Sequence, residues 1–196
     1  MPIYLDHAAT TPVRPEVRDA MLPHLGAMFG NPSSAHAWGR AAREALDAAH
    51  ERLAAAIGAD AREIVLTSGG TEAINLALKG AAWAGKTRGH RIVTTPVEHH
   101  ATSHALSYLE KFGFEVVEVP VDRYGRIDPD DVEKAITDRT ILVSVMLANN
   151  EVGSIQPVAE VASVVHSHRG VLLFVDAVQA APWMPLDVAT LGADMV

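Results

Sequence analysis

The chain has 196 residues, of which 48% are hydrophobic and 20% charged, and this balance is typical of a globular protein with one sizeable core. Its formal net charge of −8 argues against binding to nucleic acid or anionic membranes, because both attract clustered Lys and Arg. The absence of cysteine excludes disulfides and thiolate metal cages. No signal peptide and no stretch of roughly 20 apolar residues is evident, so we expect a cytoplasmic protein.

Helical and strand patterns alternate along the chain. An Ala-rich helix over residues 36–57 ends at Gly58, and residues 30–39 are a loop rich in Gly, Pro and Ser. Further helices are predicted at residues 72–84, 100–112, 129–136 and 158–166, and strands at residues 63–67, 91–95, 115–119, 141–147 and 171–175. Strands that are apolar on both faces and alternate with helices predict an α/β fold with a mostly parallel sheet flanked by helices.

The last ten residues, 187–196, begin a further strand pattern. Domain boundaries normally fall in polar, flexible segments, whereas this segment is apolar. We therefore expect the domain to be truncated here.

Four polar groups directly follow predicted strands, where ligands bind in open parallel sheets. The first is Ser68–Glu72, in which glycines and a helix N-terminus could hold a phosphate. A simple helix cap is the alternative explanation for the same residues. A nucleotide is less favoured, because neither a Walker A lysine nor a GxGxxG motif is present.

The second group is Glu98-His99-His100. An imidazole there could stack on a planar ring or move a proton, or it could simply lie in an exposed first turn of a helix. His100 and His104 have the spacing of two metal ligands on one helix face, but no third ligand is evident, and we predict no metal site.

The remaining groups are Asn149-Asn150 and Asp176 with Gln179. The asparagines could donate hydrogen bonds to a ligand or only form a turn. A carboxylate at the end of so apolar a strand calls for a cationic partner, and a protonated pyridine nitrogen would be one. A phosphate cradle, a stacking histidine, a hydrogen-bonding asparagine and this aspartate together predict a pyridoxal 5′-phosphate (PLP) site.

Six stretches also match one family pattern in order along the chain. They are Tyr4–Pro12, Gly30–Ser34, Thr67–Glu72, Glu98–His99, Asn149–Gly153 and Val175–Gln179. With them the chain resembles the cysteine desulfurases, which are class V aminotransferases among the fold-type I PLP enzymes. The form Asn-Asn-Glu-Val-Gly resembles the iron–sulfur-assembly branch, although His100 is less typical of that branch.

The resemblance implies a function and residue roles. The expected reaction converts L-cysteine to L-alanine and transfers sulfur to an acceptor protein, and a homodimer is expected. Residues 1–15 would belong to a small domain and residues 16–196 to part of the large PLP-binding domain. The implied cofactor ligands are Gly70, Thr71, His99, Asn150, Asp176 and Gln179, with His99 also catalytic.

Two parts of the family's chemistry are absent from the sequence. The lysine that binds the cofactor covalently is expected just beyond Val196, and the chain has no cysteine to accept sulfur. The 196 residues alone are therefore expected to be inactive. The alternatives are another class V enzyme, such as a selenocysteine lyase or an aminotransferase, and a non-catalytic fragment with the PLP fold.

Overall fold

The computed structural model describes residues 2–196, so Met1 of the segment predicted for a small domain lies outside it. The chain divides into two compact units between Val65 and Leu66. The first unit contains helix α1 (Pro15–Met21) and helix α2 (Ala37–Ile57). Gly58 follows α2 with φ 71° in the left-handed region, as expected of a glycine that ends a helix.

The second unit alternates helices and strands. Its elements are α3 (Gly70–Gly85), β1 (Arg91–Thr94), α4 (His100–Glu110), β2 (Glu115–Glu118), α5 (Pro129–Ala135), β3 (Thr140–Met146), α6 (Val158–Ser167), β4 (Leu172–Asp176) and α7 (Val188–Leu191). The four strands form one parallel sheet in the order β2-β1-β3-β4. The predicted α/β class and parallel sheet are confirmed.

Helices cover both faces of this sheet. On one face, Ile92, Leu142 and Phe174 pack with residues of α3 and α4. On the other face, Val143 and Val175 belong to the core that includes α5 and α6. Neighbouring residues of β1, β3 and β4 thus point to opposite cores, and every residue of β3 is buried, which explains its largely apolar sequence.

One predicted strand is wrong. Residues 61–63 form a short 3₁₀ helix, and residues 64–67 are irregular, with Val65 and Leu66 exposed. A strand is stabilised by a ladder of hydrogen bonds to a neighbour, and within residues 2–196 this segment pairs with no strand. At the other end of the chain, Met195 forms a parallel bridge with Phe174, in agreement with the strand pattern predicted there.

Within the part of the chain that the structure describes, no helix is both long enough and apolar enough to cross a membrane.

Candidate cofactor site

Three of the four predicted polar groups follow β1, β3 and β4 at the same edge of the sheet. Parallel strands end on the same side, and Met146 of β3 is the register partner of Asp176 of β4. The fourth group, at the start of α3, reaches the same region: a Cβ placed on Gly70 would lie 2.8 Å from Val178 Cγ2, two residues beyond Asp176. The structure thus brings the sequence-predicted groups together.

The N-terminus of α3 is open. Its N-cap, Gly69, makes no side-chain capping bond, and the first intrahelical bond is donated by Ala73 N–H to the Gly69 carbonyl at 3.1 Å. The N–H groups of Gly70, Thr71 and Glu72 therefore have no acceptor within the helix. Gly69 has φ 157° and ψ 178°, a conformation that is essentially restricted to glycine. This arrangement can bind a phosphate group.

Part of the helix-cap explanation also holds. Ser68 donates from its backbone N–H at 2.7 Å and from its hydroxyl at 2.6 Å to Glu72 Oε2. These bonds, the hydroxyl bond first, hold the pKa of Glu72 below its ordinary value. The Glu72 side chain thus orders the turn before the helix, and Thr71 remains exposed at its end.

His99 is the N-cap of α4. Ala101 N–H donates to its Nδ1 at 3.1 Å, so the neutral ring carries its proton on Nε2. The residue is exposed, as a platform for a planar ring must be. The rings of His100 and His104 stack at 5.8 Å, but among residues 2–196 no group of three or more His, Cys, Asp and Glu side chains is arranged to hold a metal ion.

The two asparagines after β3 differ in role. Asn149 donates to the Val97 carbonyl at 3.0 Å and accepts from the N–H groups of Glu151 and Val152 at 2.9 Å, so it shapes the loop. Asn150 is partly exposed, and its amide makes no hydrogen bond with the described residues. The turn explanation therefore applies to Asn149, whereas Asn150 is available to a ligand.

Asp176 ends β4 and is only 6% exposed. Its Oδ1 accepts from Val178 N–H at 3.0 Å, which fixes the carboxylate. No Lys, Arg or His of the described chain forms an ion pair with it. Gln179 lies partly buried in the turn that follows.

Sequence reasoning missed the role of Glu98. Its Oε1 accepts from Met146 N–H and from the Thr95 hydroxyl, both at 2.8 Å, while Oε2 is buried without a partner among the described residues. Burial of the carboxyl, and secondarily the nearby charge of Asp176, raises the pKa of Glu98 to about 8. The only signal in the sequence was an acidic residue shortly after an apolar strand.

The residues present fit a phosphorylated pyridine. The open helix N-terminus matches a phosphate, and a Cβ on Gly70 would crowd this cradle. Asp176 supplies a fixed carboxylate without a cation of its own, which matches a protonated ring nitrogen. His99 is exposed along the same edge and could cover a ring face.

Comparison with known proteins agrees with this geometry. Residues 3–196 match the family model described as aminotransferase class-V, and the chain belongs to this family. It is 49% identical over 194 residues to the cysteine desulfurase IscS of Dictyoglomus turgidum, covering 99% of this chain and 49% of that protein. The chain thus spans about half the length of the curated relatives it matches.

Solved structures show the same fold. A NifS-like protein superposes with a TM-score of 0.96 at 40% identity, over 99% of this chain and 53% of the other. A structure described as SspA in complex with cysteine gives a TM-score of 0.92 at 34% identity, over 98% of this chain and 55% of the other. The predicted architecture, that of the large domain of a fold-type I PLP enzyme, is confirmed by this likeness.

Proposed function

We propose that the chain supplies the cofactor-binding part of a PLP-dependent cysteine desulfurase. The observation that carries the proposal is the Asp176 carboxylate, fixed and without a cation, at the same sheet edge as an open helix N-terminus. The 49% identity to a cysteine desulfurase supports L-cysteine as the substrate. The related structure described as a complex with cysteine supports the same choice.

Each residue has a distinct task in this proposal. The N–H groups of Gly70 and Thr71 bind the phosphate, and Asp176 keeps the ring nitrogen protonated. His99 stacks on the ring and can hold or release a proton at Nε2, because Nδ1 is occupied by Ala101 N–H.

Asn150 donates from its free amide to the cofactor or the substrate, and Gln179 donates to the phenolic oxygen of the ring. When bound, PLP supplies an electron sink for a carbanion on the substrate.

The reaction also needs a lysine for covalent attachment and a cysteine that accepts sulfur. The chain has no cysteine, and its lysines are Lys79, Lys86, Lys111 and Lys134, of which none follows β4. We propose that both groups come from a further polypeptide segment, that the active species is a homodimer in the cytoplasm, and that a sulfur-acceptor protein takes the product sulfur for iron–sulfur or thio-cofactor assembly.

A chimera tests the proposed function. The matching half of the Dictyoglomus turgidum enzyme is replaced by this chain, and alanine formed from L-cysteine is measured with PLP present. We expect alanine in amounts that depend on PLP and a persulfide on the donor half. A folded chimera that binds PLP but forms no alanine from L-cysteine would contradict the proposal.

The same chimera distinguishes between the alternative functions. Alanine from selenocysteine alone would indicate a selenocysteine lyase, and amino-group transfer to a keto acid would indicate an aminotransferase. If neither the chimera nor the chain binds PLP or pyridoxamine 5′-phosphate, the chain is a non-catalytic fragment with the PLP fold.

A matched pair of variants tests the stacking role of His99. His99→Ala is expected to weaken the binding of pyridoxamine 5′-phosphate to the chain by about 5- to 150-fold, because ring stacking contributes about 1–3 kcal/mol. His100→Ala, one position further on and also exposed, is expected to leave the affinity unchanged. Titration by ligand fluorescence measures both, and equal losses in the two variants would count against stacking by His99.

A further inference from the structure

Glu98 links the segment after β1 to the end of β3, at the edge of the sheet where the candidate site lies. Its Oε1 accepts from the Thr95 hydroxyl, just after β1, and from Met146 N–H, the last residue of β3, both at 2.8 Å. Met146 is in turn the register partner of Asp176. One carboxyl group therefore ties the segment that leads into His99 to the strand next to Asp176.

The ionisable groups that face Glu98 are all acidic. Asp176 approaches from β4 and disfavours a second negative charge. A cavity of about 290 Å³ beside Glu98 is also lined by Glu110 of α4 and Glu118 of β2, and by no Lys, Arg or His. His99, the next residue, has its Nδ1 engaged by Ala101 N–H. The hydrogen bonds from Met146 N–H and the Thr95 hydroxyl offset part of the cost of an ionised Glu98 carboxyl, but no cationic side chain is present to balance its charge, and burial raises its pKa more than these bonds lower it.

The hydrogen bonds also indicate where a proton sits. Oε1 accepts two hydrogen bonds, whereas Oε2 is buried and receives none from the described residues. A buried carboxylate oxygen without a donor is costly, and a proton on Oε2 removes the negative charge that makes it so.

We propose that Glu98 is a positioning residue that works as a neutral carboxylic acid. It fixes the segment leading into His99 to the end of β3, and it places no second negative charge beside Asp176. Only the link to a bound ring rests on the proposed function. The hydrogen bonds of Glu98 to Thr95 and Met146, and the protonation of its carboxyl, are properties of the chain itself.

Urea unfolding of the parent chain and of the Glu98→Gln variant tests whether Glu98 is protonated in the folded chain. The glutamine side chain keeps an oxygen that can accept from Met146 N–H, but it cannot ionise. In the folded chain the pKa of Glu98 is about 8, against an ordinary value of 4.5, so the unfolded chain loses this proton first as pH rises. The stability of the parent relative to the variant is therefore constant below about pH 4.5, falls between about 4.5 and 8, and then levels off.

We expect the ratio of unfolding constants, parent over Glu98→Gln, to rise about tenfold per pH unit between about pH 5.5 and 7.5. Glu110→Gln, which lines the same cavity but is exposed, is the control, with a ratio that does not change over this range. A ratio for Glu98→Gln that is also independent of pH would overturn the proposal.

Labelling glutamate side-chain carboxyls with ¹³C provides a direct check that does not depend on how well the variants fold. The parent is expected to show one glutamate resonance that titrates near pH 8. If all glutamate resonances titrate below about pH 6, the proposal is wrong.

The positioning role of Glu98 is tested by the affinity of the chain for pyridoxamine 5′-phosphate at about pH 6.5. Glu98→Gln should bind within about twofold of the parent, and Glu98→Ala should bind about tenfold more weakly, because His99 is no longer held. Equal affinities for Glu98→Ala and the parent would overturn the positioning role. If the parent itself binds no ligand, the proposed function fails, while the unfolding ratio still decides the protonation of Glu98.

Discussion

Replacement of Asp176 by asparagine is expected to weaken the binding of pyridoxamine 5′-phosphate to the chain by about 10- to 150-fold. The reason is that a hydrogen bond between charged groups contributes about 1.5–3 kcal/mol, and asparagine carries no negative charge to strengthen its bond to a protonated ring nitrogen. Asparagine can still accept from Val178 N–H, so the unfolding free energy should change by less than about 1 kcal/mol. Fluorescence titration and urea unfolding measure the two quantities.

Asp187→Asn is the matched control for this variant. Asp187 caps α7 by accepting from Thr190 N–H, a task that asparagine performs equally well, and it lies outside the candidate site. We expect no change in ligand affinity. If Asp176→Asn binds the ligand as tightly as the parent, the assignment of Asp176 to the ring nitrogen is wrong.

Gly70→Ala is the second variant with a large expected effect. The added Cβ would lie 2.8 Å from Val178 Cγ2, so the start of α3, the Val178 side chain or both must shift. A displaced phosphate cradle should lower the affinity for pyridoxamine 5′-phosphate by at least about tenfold, since small displacements are costly at ligand sites. The unfolding free energy should fall by about 1 kcal/mol or more because of the crowding.

A second substitution separates crowding from other effects of the new methyl group. Val178→Ala removes Cγ2, and the double variant should regain most of the affinity. Gly80→Ala, in the same helix but with open space around its Cβ, should stabilise the chain by about 0.5–1 kcal/mol and leave binding unchanged. Failure of Val178→Ala to restore binding would show that Gly70 matters for another reason.

Sequence patterns predicted the fold well wherever local signals and packing agree. The largely apolar run of β3 predicted a strand buried on both faces, and Gly58 ends α2 through its own backbone preference. The strand predicted at residues 63–67 failed because strand formation depends on a partner for its backbone groups. A run of five residues carries no information about whether that partner is present.

For the candidate site, the sequence showed which polar residues follow each strand, but not what those residues contact. The sequence could not distinguish Asn149 from Asn150, because only the folded loop shows that Asn149 turns inward to Val97. It also could not show that Glu98 reaches Met146, a residue 48 positions away. Both contacts depend on the pairing of β1 with β3, which is set by tertiary packing.

The strand order also has a consequence for synthesis of the chain. After β1 forms, β2 pairs with one side of it, β3 with the other side, and β4 then pairs with β3. Within residues 2–196, each new strand therefore joins a free side of the sheet, and none has to insert between two strands that are already hydrogen-bonded. The sheet can grow outward in the order in which its strands leave the ribosome. Strand β4, which carries Asp176, is then added to a sheet that already presents His99.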